Sequence, residues 1–305
     1  MYTNRALVNA DMTQNTESPT AAPVMPDIPT DVKERIKALD DLRPFPATAA
    51  QILSECQNGD ADVRTITQLI ECDPALASKV LSIANSPLYG SPRPISTVSH
   101  AIVVIGFRAV SQLALSIAAG EVFSEGNPQV LNHLKKTFTQ SLACASMARL
   151  LARETAKANP DEAFLCGVMH DVGKLVFFDA VPEEYSQLLQ QFPNGEMTTV
   201  EQQRFGSDHA GIGKKCGAQW GLPPQINLAI QNHHLPFQEL THDLSRVILA
   251  ANYFSRQWEV GFEAAEFLPT CEALEQEFAD LNVDEIKPEA EELFDAVKEV
   301  CGVSA

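Results

Sequence analysis

The run His170-Asp171-Val172-Gly173-Lys174 sits at the end of a helical pattern and holds the parts of a metal or phosphate site. An adjacent imidazole and carboxylate can offer one nitrogen and one oxygen to the same cation. That donor set suits Fe, Mn, Zn or Mg better than a thiophilic ion. Gly173 lets the backbone turn tightly after the pair, and Lys174 could hold a phosphate. An isolated His-Asp pair is more often a helix-end histidine beside a solvated acid. Three further histidines shift that balance: His209, four residues before Gly213, and the adjacent His233-His234, with Pro236 closing their helix. Four of the 7 histidines therefore recur at helix ends in one half of the chain. They could share one divalent ion, or form a metal-free hydrogen-bonded cluster.

Helices must position these side chains. Ala49, Ile52, Leu53 and Cys56 fall at i, i+3, i+4, i+7, and the spacing repeats in Val63–Ile70 and Leu76–Ala84. Asn58-Gly59, Asp73-Pro74 and the Ser86–Pro94 loop interrupt it. Ser96 or Thr97 can cap the following helix, which breaks at Gly106. A long helical pattern runs from about residue 129 to 157, Asn159-Pro160-Asp161 starts the next, and others follow at about 182–191, 198–205, 208–220, 223–233 and 242–258. No period-two run is long enough for a strand, and no internal repeat is evident. The expected fold class is all-α, with a flexible Pro-rich tail over 1–30, a helical lobe over 31–126, a second over 127–260, and an acidic helical extension over 261–305. Trp220 and Trp258 read as core anchors.

The formal charge of −18, from 40 acids against 22 bases, opposes nucleic acid and anionic membrane. Seven cysteines without a CxxC pair suit free thiols in a reducing cytoplasm rather than a disulfide framework or structural zinc. The first residues lack the apolar core of a secretion signal, and no apolar run approaches the ~20 residues that span a bilayer. A GxSxG elbow and a phosphate-cradling Gly-rich loop are both missing.

His170-Asp171 with Gly173-Lys174, then His209 and His233-His234, resembles the HD-domain metal-dependent phosphohydrolases. Leu42-Arg43-Pro44-Phe45-Pro46, Asp73-Pro74-Ala75-Leu76, Ala84-Asn85-Ser86-Pro87-Leu88-Tyr89-Gly90 and Ala101–Gly106 resemble the signature of the HDOD family, the HD-related output domain. The resemblance covers roughly Leu42 to Trp258. It implies a two-lobed helical fold and a role in bacterial signal transduction. It also implies that Gln140 and Asn252 stand where active HD enzymes carry a His and an Asp ligand. Both changes replace a strong ligand by a neutral amide and weaken cation binding. The stretch after His234 lacks the acidic residue and the Gly-Tyr-Pro run of the variant that cleaves cyclic di-GMP.

The expected function is a regulatory module without catalysis, acting in the cytoplasm through other signalling proteins or a bound small ligand. Tyr89 and its loop are the expected partner contact. The alternative is a metal-dependent phosphohydrolase acting on a nucleotide or phosphodiester, with His170, Asp171 and His209 as ligands, His233 or His234 as ligand or proton donor, and Lys174 on phosphate.

Overall fold

In a computed structural model, the described residues are 28–38, 42–57, 62–86, 89, 93–123, 128, 130–192, 197–256, 272–279, 281 and 283–303. Among them the chain is helical throughout and forms no strand. The first six helices are α1 (Thr30–Ala38), α2 (Ala47–Gln57), α3 (Val63–Glu71), α4 (Pro74–Ala84), α5 (Val98–Ile105) and α6 (Phe107–Gly120). The next eight carry the candidate site: α7 (Leu131–Thr155), α8 (Pro160–Met169), α9 (Lys174–Ala180), α10 (Pro182–Gln191), α11 (Met197–Phe205), α12 (His209–Gln219), α13 (Pro224–Asn232) and α14 (Asp243–Arg256). Two more, α15 (Glu272–Glu277) and α16 (Val283–Val300), close the chain. Residues 1–27 of the expected tail, most of the 86–94 loop and Trp258 lie outside the described residues.

Short polar side chains start many of these helices. Asp62, Asp73, Thr97, Asn159 and Asp208 each accept a backbone N–H of the first turn, which satisfies donors that no helical carbonyl can reach. Pro74 and Pro160 occupy first-turn positions, where a missing N–H costs nothing. Asn85 then ties the end of α4 to the start of the next segment. Its side chain donates to the Ile95 carbonyl and accepts from the Ile95 N–H, at 2.8 and 2.7 Å.

One hydrophobic core runs from Ile28 to Val303 through both sets of helices. At its centre lies α7, whose residues Leu134 to Ala152 are buried almost all round. It packs chiefly on α8, α14 and α16. The approach to α8 is close enough to need a glycine: a Cβ on Gly167 would lie 2.4 Å from the Cα of Ala145. The amphipathic α16 lays Leu293, Phe294 and Val297 on this body. Its acidic side meets basic groups of α7, with Arg153 gripping Glu289 through contacts of 2.5 and 2.7 Å. Lys157 pairs in the same way with Glu277 of α15. No described helix is long and apolar enough to cross a membrane. The described cysteines are free thiols.

The Leu42–Pro46 segment straps the N-terminal helices to the site-bearing ones. Arg43 clasps Asp179 of α9 with two bonds of 2.7 and 2.5 Å and donates to the Val122 carbonyl at 2.5 Å. Phe45 stacks on Trp220 with ring centres 5.1 Å apart, and Trp220 Nε1 donates to the Arg43 carbonyl at 3.2 Å. Trp220 is thus a packing anchor, as expected. Tyr89 is half-buried beneath the Arg149 guanidinium, 5.7 Å from the ring centre. Removing the forked, partly buried pair with Arg43→Ala is expected to lower unfolding stability by about 1–3 kcal/mol. Arg43→Lys should restore little of it, because an ammonium cannot match a carboxylate at two points. Urea unfolding of both variants checks this, and a loss below the fitting error would contradict it.

Candidate metal centre

Four helix ends build the site. His170 closes α8, and Asp171, Val172 and Gly173 form the turn into α9, which starts at Lys174. His209 is the first residue of α12, set by its neighbour Asp208, whose side chain accepts the Gly211 N–H at 2.7 Å. His233 closes α13 and His234 follows it. The glycine in the turn is a packing requirement as much as a conformational one. A Cβ on Gly173 would stand 1.9 Å from the His209 carbonyl oxygen, so any larger residue would push α12 away from the His-Asp pair.

Three imidazoles are oriented from behind. His170 Nδ1 lies 2.7 Å from the Gly167 carbonyl and His233 Nδ1 lies 2.6 Å from the Ile230 carbonyl. A carbonyl only accepts, so both Nδ1 atoms carry the proton. His209 Nδ1 meets the Glu201 carboxylate at 2.6 Å. Glu201, fully buried on α11, also accepts the His209 backbone N–H at 2.8 Å and the Tyr185 hydroxyl at 2.7 Å. Burial first, and then the Glu201 charge, hold the Tyr185 phenol well above its ordinary range, so it stays a donor. Each ring is therefore turned so that Nε2 faces Asp171. The separations are 3.5 Å for His170, 3.4 Å for His209 and 3.6 Å for His233. Carboxylates or carbonyls on the far nitrogen are the usual way a protein fixes imidazoles that ligate a metal.

Asp171 is 1% exposed, and its Oδ2 accepts from Lys174 Nζ at 2.8 Å. Burial opposes its charge, yet the Lys174 ammonium against Oδ2 holds the carboxyl well below its usual range. Its Oδ1 has no hydrogen-bond partner, and neither do His170 Nε2 and His233 Nε2. Neutral Nδ1–H imidazoles turn lone pairs toward these positions, so acceptors face an acceptor. A cation between Oδ1 and His233 Nε2 would satisfy both, while His170 Nε2 stands to one side, 3.5 Å from Oδ2. Asp171, His209, His233 and His234 each offer one ligand atom, and these atoms lie within 4.8 Å of one another. The donor set thus fits a divalent metal. His209 and His234 also approach each other, with Nε2 atoms 2.9 Å apart.

The structure brings together all five expected ligand candidates, His170, Asp171, His209, His233 and His234. Lys174, expected to reach a phosphate, is 4% exposed and spent on Asp171. The two amide positions turn to protein partners. Gln140 Nε2 donates to Ser255 Oγ at 3.1 Å, and Asn252 Oδ1 accepts from Arg256 Nε at 3.1 Å. Glu201 and Arg256 did not stand out in the sequence. The Arg256 charge reaches the site: burial first, and that charge with it, keep the His234 imidazole well below its ordinary range.

An all-helical body in which a helix-end His-Asp pair meets histidines from two further helix ends defines an HD-like domain. Residues 42–236 match the HDOD domain family, and the chain belongs to it. An uncharacterised protein of Treponema pallidum (strain Nichols) is 28% identical over 202 residues, which cover 65% of this chain and 39% of the relative. The chain spans less than half the length of the curated relatives it matches. Among solved structures, an HDOD domain protein of unknown function from Geobacter sulfurreducens superposes with TM-score 0.72 at 23% identity, covering 88% of this chain and 97% of that one. A candidate signal transduction protein from Marinobacter aquaeolei VT8 gives TM-score 0.63 at 23% identity, covering 93% of this chain and 62% of that one. Both likenesses fix the all-helical fold.

Burial drives the His170 imidazole down to about 3 from an ordinary 6.5, against the pull of Asp171. Between those values the unfolded chain binds a proton that the folded chain does not, so stability rises with pH through that window and falls on acidification. Asp171 adds to the loss below its ordinary range, because its folded form resists protonation. For the metal-free chain, His170 alone should remove roughly 2 kcal/mol between pH 7 and pH 5. Denaturant unfolding at the two pH values measures this, with His170→Asn expected to flatten the profile. Equal stability of the natural chain at both pH values would refute the neutral, buried imidazole.

Proposed function

We propose that this chain is a regulatory signal-transduction module that works without catalysis, through other signalling proteins or a bound small ligand. The observation that carries this reading is the use made of the polar groups around Asp171. Phosphoester hydrolysis by a metal needs a cation to activate water and, in the two-metal form, a second to hold the leaving oxygen. Asn252 and Gln140 bring no charge and are occupied with Arg256 and Ser255. Lys174 neutralises one oxygen of Asp171 and is buried away from any phosphate. The Asp171 carboxylate, shared between a lysine and a cluster of imidazoles, is a weak basis for two dications.

Protein contact is supported by α5. Val103 is 82% exposed and Val104 40% exposed there. They lie in a stretch, residues 86–120, that holds no acid in a chain of net charge −18. Exposed apolar groups with neighbouring Arg93 and Arg108 suit an acidic protein surface. Nucleic acid is a poor match for the overall charge.

The second reading is a phosphohydrolase acting on a nucleotide or phosphodiester, and the converging Nε2 atoms favour it. A metal held by Asp171 and the histidines would supply an activated water, while Glu201 would keep His209 in the ligating tautomer. The two readings part on a generic phosphodiester supplied with Mn or Fe. The regulatory reading predicts no turnover above buffer. Turnover that disappears in Asp171→Ala would overturn it and establish the hydrolase.

A further inference from the structure

We infer that the pocket is a mononuclear, nitrogen-rich site that selects a borderline dication of the zinc type over magnesium. Its ligands are Nε2 of His209, His233 and His234 with Oδ1 of Asp171. The inference concerns the pocket's occupant and stands whether or not the protein turns over a phosphoester.

Geometry gives the coordination number. A tetrahedral ion with bonds of about 2.0–2.1 Å places its ligand atoms about 3.3–3.4 Å apart. The cluster shows 2.9 Å between His209 and His234, 3.4 Å between His209 and Asp171, and 3.6 Å between His233 and Asp171. All four ligand atoms lie within 4.8 Å of one another, so an ion would draw the more distant of them inward. Two rings are fixed from behind by Glu201 and by the Ile230 carbonyl. His234 is partly exposed and can turn to complete the set.

The donor types give the selectivity. Imidazoles suit Zn, Cu, Fe and Ni, while magnesium and calcium require several oxygens, mostly anionic, and keep much of their water. Asp171 supplies the one carboxylate of the group, and Lys174 holds its second oxygen, which enforces attachment through Oδ1 alone. His170 stands beside the set, with Nε2 3.5 Å from Asp171 Oδ2 on the lysine side. The carbonyl oxygen of Asn252 is taken by Arg256, so a second cation would lack both a carboxylate and a free amide oxygen there. Three nitrogens and one oxygen around one ion, with a fixed positive charge alongside, is a poor cage for a hard ion and a fair one for zinc.

Zinc and magnesium are titrated calorimetrically into the chelator-stripped full chain, and bound zinc is counted after dialysis. The expected result is one zinc per chain, undisturbed by a hundredfold excess of magnesium. Thermal unfolding should rise with zinc and stay put with magnesium. Asp171→Asn should abolish retention. His234→Gln, at the partly exposed ligand, should weaken zinc at least tenfold while the metal-free unfolding temperature stays that of the natural chain. Absence of zinc binding by the folded natural chain, displacement by magnesium, two zinc ions per chain, or undiminished affinity in His234→Gln would each overturn the inference. Phosphodiester turnover by the zinc-loaded protein would instead refute the regulatory reading and leave the site standing.

Discussion

A carboxylate in a helical core must be met by donors or cations on every side, and most of the architecture around Asp171 follows from that demand. With 1% of its surface exposed, it would lose its charge or expel itself from the core if Lys174 did not reach it from the next turn. The lysine is delivered by the start of α9, and α9 is held in turn by Asp179 gripping Arg43. The glycine between Asp171 and Lys174 lets α12 come so near that His209 faces the same carboxylate. Electrostatic need, helix placement and the strap from the N-terminal helices therefore form one chain of dependence.

The same demand explains why the pocket is ready for a cation. Lys174 satisfies Oδ2, and Oδ1 is left to imidazole nitrogens that approach without hydrogen bonding. Such an arrangement is unfavourable by itself and holds because the rings are fixed elsewhere, on carbonyls and on Glu201. The stability of the surrounding helices is what keeps like groups facing each other. This preorganisation belongs to a binding site, and its chemistry is set by how little negative charge faces it.

Much of this was legible in the sequence, and for identifiable reasons. Helix starts at Asp73-Pro74, Thr97 and Asn159-Pro160 are written in local capping chemistry, and they stand where expected. His170, Asp171, His209, His233 and His234 were legible because metal-ligand types cluster at helix ends. Glu201 was not, because Thr198-Thr199-Val200-Glu201-Gln202-Gln203 reads as an ordinary polar helix turn. Only the docking of α11 turns that acid inward, between Tyr185 and His209. Arg256 was hidden in the same way at the end of α14, where a basic residue is expected to complement the helix dipole. Lys174 was placed on the right turn, but its partner was a matter of tertiary geometry: a carboxylate three residues back competes with any phosphate.

The account rests on histidine side chains that present unprotonated Nε2 atoms toward Asp171. The most direct measurement is the nitrogen-15 NMR signature of the imidazoles in the metal-free protein at neutral pH. The account predicts neutral rings for His170 and His233 with the proton on Nδ1, and the Nδ1 of His209 protonated against Glu201. Nε2–H tautomers at His170 and His233, or imidazolium rings there, would mean that donors rather than lone pairs face the carboxylate. In that case the pocket is a self-satisfied hydrogen-bonded cluster and not a preformed cation site.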